Sequence, residues 1–217
     1  MSRAFDAILF DFDGVLVDSE PIHYSCWREI LAPYGVDLDW DTYCRVCIGV
    51  ADRPMVEALC RAVSPPADVE RVWSEYPRKK EMFRKRLAAT LPFPEATLEL
   101  LLSLAGRKMA VVSSSGRAEV EPMLEAAGLR ALFGAVVCGE DVERHKPAPD
   151  PYLLAARLLG VDSALVVEDS VSGIASGRAA GFEVIEVRSP REMAGQVRER
   201  LATFSATENP ADRLRST

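Results

Sequence analysis

Two aspartates, Asp11 and Asp13, are separated by one residue and directly follow the apolar run AILF at residues 7–10. Side chains at positions i and i+2 of a strand point to the same side, so the two carboxyl groups would lie close together. Like charges at that separation repel each other, and burying them costs more still. The spacing therefore predicts either a cation site or a reaction that needs both carboxyl groups.

Other polar side chains that suit such chemistry come later in the chain, most of them directly after apolar runs. They are Ser113 and Ser114 in VVSSSG, Lys146 in HKPAPD, and Glu168 and Asp169 in VVED. Four carboxylates gathered in one crevice need a cation, and hard oxygen ligands favour Mg²⁺. A lysine, a serine hydroxyl and free backbone N–H groups suit a phosphate group. The set therefore predicts phosphoryl transfer, with Mg²⁺ and a lysine offsetting the negative charge.

Each of these residues alone has a simpler interpretation. An aspartate at a strand end is more often a turn or helix-capping residue. The run Ser113-Ser114-Ser115 could cap a helix, and Lys146 could be a surface lysine before a proline-rich turn. The catalytic prediction depends on the joint placement of the whole set at strand ends.

Alternating strands and helices must position these side chains. Strands are predicted at residues 4–11 and in KMAVVS, GAVVCG, ALVVED and FEVIEV; helices are predicted at residues 98–104, 119–127, 151–159, 171–180 and 191–201. This alternation predicts an α/β fold with a parallel sheet covered by helices on both faces. Parallel strands place their carboxyl ends along one edge, where ligands bind. We therefore expect Asp11, Ser113 and the Glu168–Asp169 pair at that edge.

A helical segment interrupts this alternation after the first strand. From about Pro21 to about Ala89 the sequence has no run typical of a strand, and helix-period segments follow one another. In the last of these the apolar residues keep to one face, and Pro77 is expected to kink or split the helix. The sequence thus predicts an α/β core that is interrupted by a helical insert.

Composition narrows the function classes. The 217 residues carry a net charge of −7, which disfavours a nucleic-acid partner, and no apolar run is long enough to cross a membrane. The N-terminus lacks the features of a signal peptide, and the five cysteines suggest reduced thiols, so we expect a cytoplasmic protein. The pair Cys44 and Cys47 suits helix packing better than a redox or metal site. The tail from about Thr207 is polar and is expected to fray.

Four sequence motifs resemble those of the haloacid dehalogenase superfamily, in its phosphatase and β-phosphoglucomutase-like branch. They are DFDGVLVDSEPIH, VVSSSG, HKPAPDPY and VVEDSVSGIASGRAAG, in the family's order and at suitable spacing across nearly the whole chain. The resemblance implies a Rossmann-like α/β core at residues 1–17 and 92–217. It also implies a helical cap domain at residues 18–91, able to close over a substrate and exclude water.

The resemblance also implies a role for each core residue. Asp11 would be the nucleophile that becomes an aspartyl-phosphate, and Asp13 would be the general acid and base. Mg²⁺ would be held by Asp11, the backbone carbonyl of Asp13 and Asp169, with Glu168 beside them. The phosphoryl group would be bound by Ser113, Ser114 and Lys146.

Three residues of the helical segment are candidates for holding the substrate. His23 matches a histidine found in mutases and in many sugar-phosphate phosphatases, and Arg53 and Lys79 suit anionic or hydroxyl groups. An equal alternative for His23 is that it only packs at an interface. An equal alternative for Arg53 and Lys79 is that each is a solvated surface charge.

The function expected from these features is Mg²⁺-dependent hydrolysis of a small phosphate ester, such as a sugar phosphate. The chain is expected to be a monomer or a small homo-oligomer without nucleic-acid or membrane partners. A β-phosphoglucomutase-type phosphotransferase is the alternative. It is disfavoured because no lysine precedes Gly49 and Arg53 lies one place from the mutase arginine. A non-enzymatic binding protein would lack one of the motif residues, a phospho-receiver domain would be about half as long, and dehalogenase chemistry would not use Asp13 or Mg²⁺.

Overall fold

A five-stranded parallel sheet forms the centre of the computed structural model, which describes residues 5–48, 50 and 52–207. The strand order is β3-β2-β1-β4-β5, with β1 in the middle. The strands are β1 (Ala7–Phe10), β2 (Lys108–Val112), β3 (Ala135–Val137), β4 (Ala164–Glu168) and β5 (Glu183–Glu186). All four strand pairs are parallel, which confirms the predicted α/β class.

Helices follow the strands as the alternating pattern predicted. In the α/β part they are α6 (Glu95–Ser103), α7 (Arg117–Ala126), α8 (Asp150–Leu159), α9 (Val171–Ala179) and α10 (Pro190–Thr207). The predicted helix at residues 98–104 begins earlier, at Glu95, and the last helix extends beyond the predicted residue 201. Every residue of β1 is buried, because both faces of the central strand are covered.

Helices alone form the regular structure of the described part of the interrupting segment, apart from a short 3₁₀ turn at Ala32–Tyr34. They are α1 (Glu20–Leu31), α2 (Trp40–Val46), α3 (Asp52–Ala62), α4 (Val69–Ser74) and α5 (Tyr76–Thr90). Pro77 lies in the first turn of α5, where its missing N–H is not needed, so it separates α4 from α5 rather than kinking one helix.

The chain forms two compact units, each with a hydrophobic core. One unit holds the described residues of Met1–Asp18 and Phe93–Thr217, and the other is Ser19–Pro92. One core cluster joins alternate residues of β1, β2, β3 and β4 to Tyr152 and Ala155 of α8. Another lies within the helical unit around Trp27 and Leu38. Each of these two clusters is built from residues of a single unit.

Two further observations bear on the sequence-based expectations. All five cysteines are unpaired thiols, and burial raises the pKa of Cys47 to about 11, so that thiol stays protonated at neutral pH. Among the described residues, no helix is long and apolar enough to span a bilayer. Gly49, which was used to compare the chain with mutases, lies outside the described residues. The tail beyond Thr207, which was expected to fray, also lies outside them.

Candidate active site

Asp11 lies at the carboxyl end of the central strand, where β1 separates β2 from β4. Its backbone N–H donates to the carbonyl oxygen of Val167, 2.9 Å away, which continues the ladder one residue past β1. Its side chain is buried. The carboxyl ends of three neighbouring strands thus surround this carboxyl group, as the sheet edge predicts.

Lys146 connects the ends of these strands. Its Nζ donates to Asp11 Oδ1 at 2.5 Å, to Glu168 Oε1 at 2.6 Å and to the carbonyl oxygen of Val112 at 2.9 Å. These contacts use all three donors of the ammonium group, and the side chain is only 3% exposed. Lys146 is therefore a buried cation fixed between two carboxylates.

Glu168 is fully buried and receives hydrogen bonds on both carboxylate oxygens. Oε1 accepts from Lys146 and from the hydroxyl of Tyr152, at 2.9 Å. Oε2 accepts from the backbone N–H groups of Asp169 and Ser170, both at 3.0 Å, and from the Ser170 hydroxyl. Because these donors already surround Glu168, its main effect is to hold Lys146 and the start of α9 in place.

Burial, and to a smaller extent neighbouring carboxylates, favours the protonated forms of Asp11 and Asp169. Burial raises the pKa of Asp11 well above its ordinary value; Lys146 opposes this rise and Glu168 adds to it. Partial burial of its carboxyl group, and after it Glu168, raises the pKa of Asp169 to about 6, although the residue as a whole remains exposed. Burial alone would lower the pKa of Lys146, but Asp11 and Glu168 outweigh it and raise the pKa.

The same three carboxyl groups could hold a divalent cation. Asp11, Glu168 and Asp169 each offer an oxygen, and these oxygens lie within 4.8 Å of one another. Since donors already occupy Glu168, Asp11 and Asp169 are the better candidate ligands. Two carboxylates with remaining positions for water and substrate oxygens suit Mg²⁺, and a cation would also offset the excess negative charge.

Two glycines let the backbone approach these carboxylates closely. Gly14 has φ +80°, and a Cβ there would lie 2.0 Å from Asp169 Oδ2. A Cβ on Gly173, in the first turn of α9, would lie 1.6 Å from Glu168 Oε1. Any larger residue at either position would displace one of the clustered carboxyl groups.

Asp13 and the serine loop after β2 come together on the same edge. The hydroxyl of Ser115 donates to Asp13 Oδ2 at 2.8 Å, and Ser113 Oγ accepts from the backbone N–H of Ser115 at 3.0 Å. Ser113 is buried, whereas Ser114 is exposed. The simpler interpretation of these serines as helix caps does not hold, because the N-cap of α7 is Gly116.

His23 and Lys79 contact each other within the helical unit. Lys79 Nζ lies 2.9 Å from His23 Nδ1 and 3.5 Å from Asp52 Oδ2, and its side chain is only 2% exposed. Burial, together with Lys79, lowers the pKa of His23 to about 4. Because an ammonium group only donates, Nδ1 accepts and the proton of the neutral imidazole lies on Nε2. His23 is thus a neutral hydrogen-bond donor near pH 7.

A cavity of about 260 Å³ lies beside this pair in the helical unit, lined in part by Glu20, His23, Tyr43 and Asp52. The hydroxyl of Tyr43 donates to Glu20 Oε2 at 2.5 Å. The cavity therefore presents carboxylate acceptors and an imidazole, which suit hydroxyl groups.

Arg53, the third candidate of this unit, is engaged by other side chains. Its guanidinium pairs with Glu57 at 3.2 Å and with Glu70, and it lies 5.2 Å from the ring centroid of Trp73. A substrate contact would require an exchange of these partners. Arg53 is not among the residues that line the cavity next to His23.

Sequence reasoning did not single out Tyr152 or Ser115 as parts of this site. Tyr152 lies in the motif HKPAPDPY, and Ser115 follows Ser113 by two positions, so both stand inside quoted motifs. Their hydrogen bonds to Glu168 and Asp13 depend on how α8 and the loop after β2 pack. Tyr152 lies in the first turn of α8, in the same motif as Lys146, and this closeness in sequence was the signal that could have identified it.

Known proteins resemble the chain over most of its length. The family model described as haloacid dehalogenase-like hydrolase matches residues 8–187. Fructose-1-phosphate phosphatase YqaB of Escherichia coli is 34% identical over 192 residues, covering 87% of this chain and 99% of the relative. Phosphorylated carbohydrates phosphatase of Thermotoga maritima is 30% identical over 182 residues, covering 83% of each chain.

A solved structure supports the similarity in three dimensions. CbbY of Rhodobacter sphaeroides, in complex with xylulose 1,5-bisphosphate, has a TM-score of 0.60 and 27% sequence identity. The match covers 84% of this chain and 86% of that chain. Sequence and fold thus point to the same group of proteins.

Proposed function

The chain belongs to the haloacid dehalogenase-like hydrolases, and from that membership we propose that it is a Mg²⁺-dependent phosphatase that hydrolyses a small sugar phosphate through an aspartyl-phosphate. It is an enzyme of the phosphatase class, as are its named relatives. Those relatives act on fructose 1-phosphate and on phosphorylated carbohydrates. The metal, the intermediate and the sugar phosphate are the parts of this assignment that are proposed.

The contact of Lys146 with both Asp11 and Glu168 is the observation that carries the proposal. A buried lysine beside the first aspartate of the chain's motif stabilises a carboxylate at the end of β1. Glu168 keeps the lysine in place. An ionised Asp11 is the state that can attack phosphorus.

The chain's own residues supply the proposed steps. Asp11 forms a bond to phosphorus while the bond to the leaving oxygen breaks, and Asp13 gives that oxygen a proton. Asp13 then takes a proton from a water molecule, whose oxygen attacks the phosphorus of the aspartyl-phosphate. Phosphate leaves and the Asp11 carboxylate is restored, so that one carboxyl group attacks while its neighbour moves the proton.

Asp11, Asp169 and the backbone carbonyl of Asp13 would hold Mg²⁺. When bound, Mg²⁺ offsets the negative charge shared by the nucleophile and the phosphate. Ser113 and Ser114 are proposed to bind phosphoryl oxygens, together with the charge of Lys146. The raised pKa values of Asp11 and Asp169 support a need for added positive charge.

The helical unit is proposed to select the substrate. Its cavity offers the acceptors of Glu20 and Asp52 and the donor of His23, which suit the hydroxyl groups of a sugar. Lys79 is buried behind His23 and is proposed to act through it. A cytoplasmic location and a monomeric or small homo-oligomeric state remain predictions from the sequence.

Phosphate release from a panel of phosphorylated metabolites tests the proposal. The panel includes fructose 1-phosphate, and a glucose 1-phosphate mutase assay runs beside it to detect the alternative phosphotransferase. We expect turnover with Mg²⁺, none in EDTA, and none for Asp11→Asn under either condition. Asp6→Asn, the same change at the opposite end of β1, is the matched control and should keep activity, because the Asp6 carboxylate accepts from the Ser163 hydroxyl at 2.7 Å and is not part of the cluster around Lys146.

Two results would contradict the proposal. Full activity in the presence of EDTA would show that no metal ion is needed. Beryllium fluoride bound to a carboxylate other than Asp11 would show that Asp11 is not the nucleophile.

A further inference from the structure

Ser115 contacts the proposed acid and base directly. Its hydroxyl donates to Asp13 Oδ2 at 2.8 Å, and both residues belong to the α/β unit. A serine hydroxyl has one proton, so this bond commits it to the carboxyl group of Asp13. Hydrogen bonds to a charged group are stronger than those between neutral groups, so this contact can orient the Asp13 side chain.

The backbone around Ser115 is fixed from two directions. Its N–H donates to Ser113 Oγ at 3.0 Å, and its carbonyl oxygen accepts from the backbone N–H of Gly139 at 3.1 Å. The approach of the Gly139 turn is close, because a Cβ there would lie 2.8 Å from the carbonyl oxygen of Ser114. Since a serine side chain has one torsion that moves its oxygen, a fixed backbone leaves the hydroxyl few positions.

We propose that Ser115 is a positioning residue that orients the Asp13 carboxyl group for proton transfer to the leaving oxygen and from water. This inference rests on the proposed function, because it assumes that Asp13 moves those protons. It assigns to the third serine of VVSSSG a role different from phosphate binding. In this role Ser115 acts through Asp13 and not directly on the reacting atoms.

The role predicts a specific kinetic signature for Ser115→Ala. On a sugar phosphate, kcat should fall about tenfold to hundredfold, the range expected for one hydrogen bond to a charged group, while KM stays within about twofold. The loss should shrink on p-nitrophenyl phosphate, whose leaving oxygen needs little protonation. Ser115→Thr keeps the hydroxyl and should restore most of kcat.

A double-mutant cycle with Asp13→Asn isolates the pair. If Ser115 acts only through Asp13, Ser115→Ala should cause no further loss in the Asp13→Asn background. Ser103→Ala is the matched control, because the Ser103 hydroxyl bonds to the Leu100 carbonyl within α6 and its loss should not change kcat. Ser115→Cys, with only a weak S–H donor, repeats the test if the alanine variant folds poorly.

The outcomes separate this inference from the function on which it rests. Loss of activity in EDTA and in Asp11→Asn, together with wild-type kcat in Ser115→Ala, would overturn the inference alone. A rise in KM for Ser115→Ala that is equal for all leaving groups and additive with the effect of Asp13→Asn would also overturn the inference. The Ser115 hydroxyl would then bind the phosphate group of the substrate. Activity that survives both EDTA and Asp11→Asn would instead overturn the proposed function.

Discussion

Glu168 organises the cluster at the strand ends through its hydrogen bonds. Its two oxygens receive bonds from Lys146, Tyr152 and the first residues after β4. Both oxygens serve as acceptors, so the surrounding donors hold the carboxyl group in one position. Glu168 in turn holds the Lys146 ammonium group beside Asp11.

Asp169 leads to a prediction about pH and metal at the residue scale. Its pKa is raised to about 6, so without metal the folded chain keeps this proton when the unfolded chain has lost it. The contribution of this carboxyl group to the free energy of unfolding is fully present below its ordinary pKa of 3.8 and is lost as the pH rises from there through about 6. A Mg²⁺ ion held by Asp169, as proposed, would compete with this proton. We therefore expect Mg²⁺ to raise the Tm more at about pH 7.5 than at about pH 5.

Thermal unfolding with and without Mg²⁺ at both pH values measures this effect, and Asp169→Asn is the control. The asparagine variant cannot exchange a proton at this position, so its Mg²⁺-induced shift should be small and should depend less on pH. A larger Mg²⁺ shift at the acid pH in the unchanged chain would contradict the prediction.

The sequence predicted the carboxylates and the lysine of this cluster better than its hydroxyl groups. Asp11 and Glu168 follow from the rule that parallel strands end at one edge, which holds whatever the loops do. Lys146 lies in the connection between β3 and α8 and was indicated by its motif, HKPAPD. The contacts of Ser115 and Tyr152 depend on loop geometry and on one side-chain rotamer each. No spacing rule fixes those.

At the scale of elements, the start of α9 is built around Glu168. Ser170 caps the helix by accepting from the backbone N–H of Gly173, as the sequence predicted, and its hydroxyl also contacts Glu168. Gly173 completes the turn because it has no Cβ to strike the carboxylate. Capping and the position of Glu168 therefore depend on each other.

Gly173→Ala should disturb this turn. Its Cβ would lie 1.6 Å from Glu168 Oε1, so the carboxylate or the helix must move, at a cost of about 1–3 kcal/mol in the free energy of unfolding. Activity should fall as well, because Lys146 loses its anchor. Urea denaturation and phosphate release measure the two effects.

Gly195→Ala is the matched control for this substitution. Gly195 lies in α10, and a Cβ there meets nothing within 4 Å. Alanine favours a helix interior over glycine, so this variant should be more stable by about 0.5–1 kcal/mol. A loss of stability in both variants would show that helical glycines are replaced poorly here for a reason other than the carboxylate.

At the scale of the molecule, the described core clusters divide between the two units. Trp27 is buried in the cluster of the helical unit, donates to Asp52 at 3.0 Å and lies beneath Lys79. Trp27→Ala should therefore lower the stability of that unit by about 3–5 kcal/mol. Hydrogen exchange should show lost protection between residues 19 and 92, with β1, β2 and β4 still protected.

Trp40→Ala provides the comparison, because Trp40 belongs to the same unit but is 40% exposed. Its loss of protection should be much smaller. Equal loss across both units in Trp27→Ala would contradict the view that each core stabilises its own unit.

The order of strands in the sheet has a consequence for how the chain folds during synthesis. Ala7 of β1 pairs with Lys108 on one side and Ala164 on the other, so both neighbours of the first strand emerge from the ribosome long after it. The helical unit, Ser19–Pro92, is synthesised in full before β2 begins at Lys108, and its core cluster needs no residue from outside the unit. The helical unit can therefore fold on the nascent chain while β1 waits unpaired, and an apolar strand exposed that long is where a chaperone would be expected to bind.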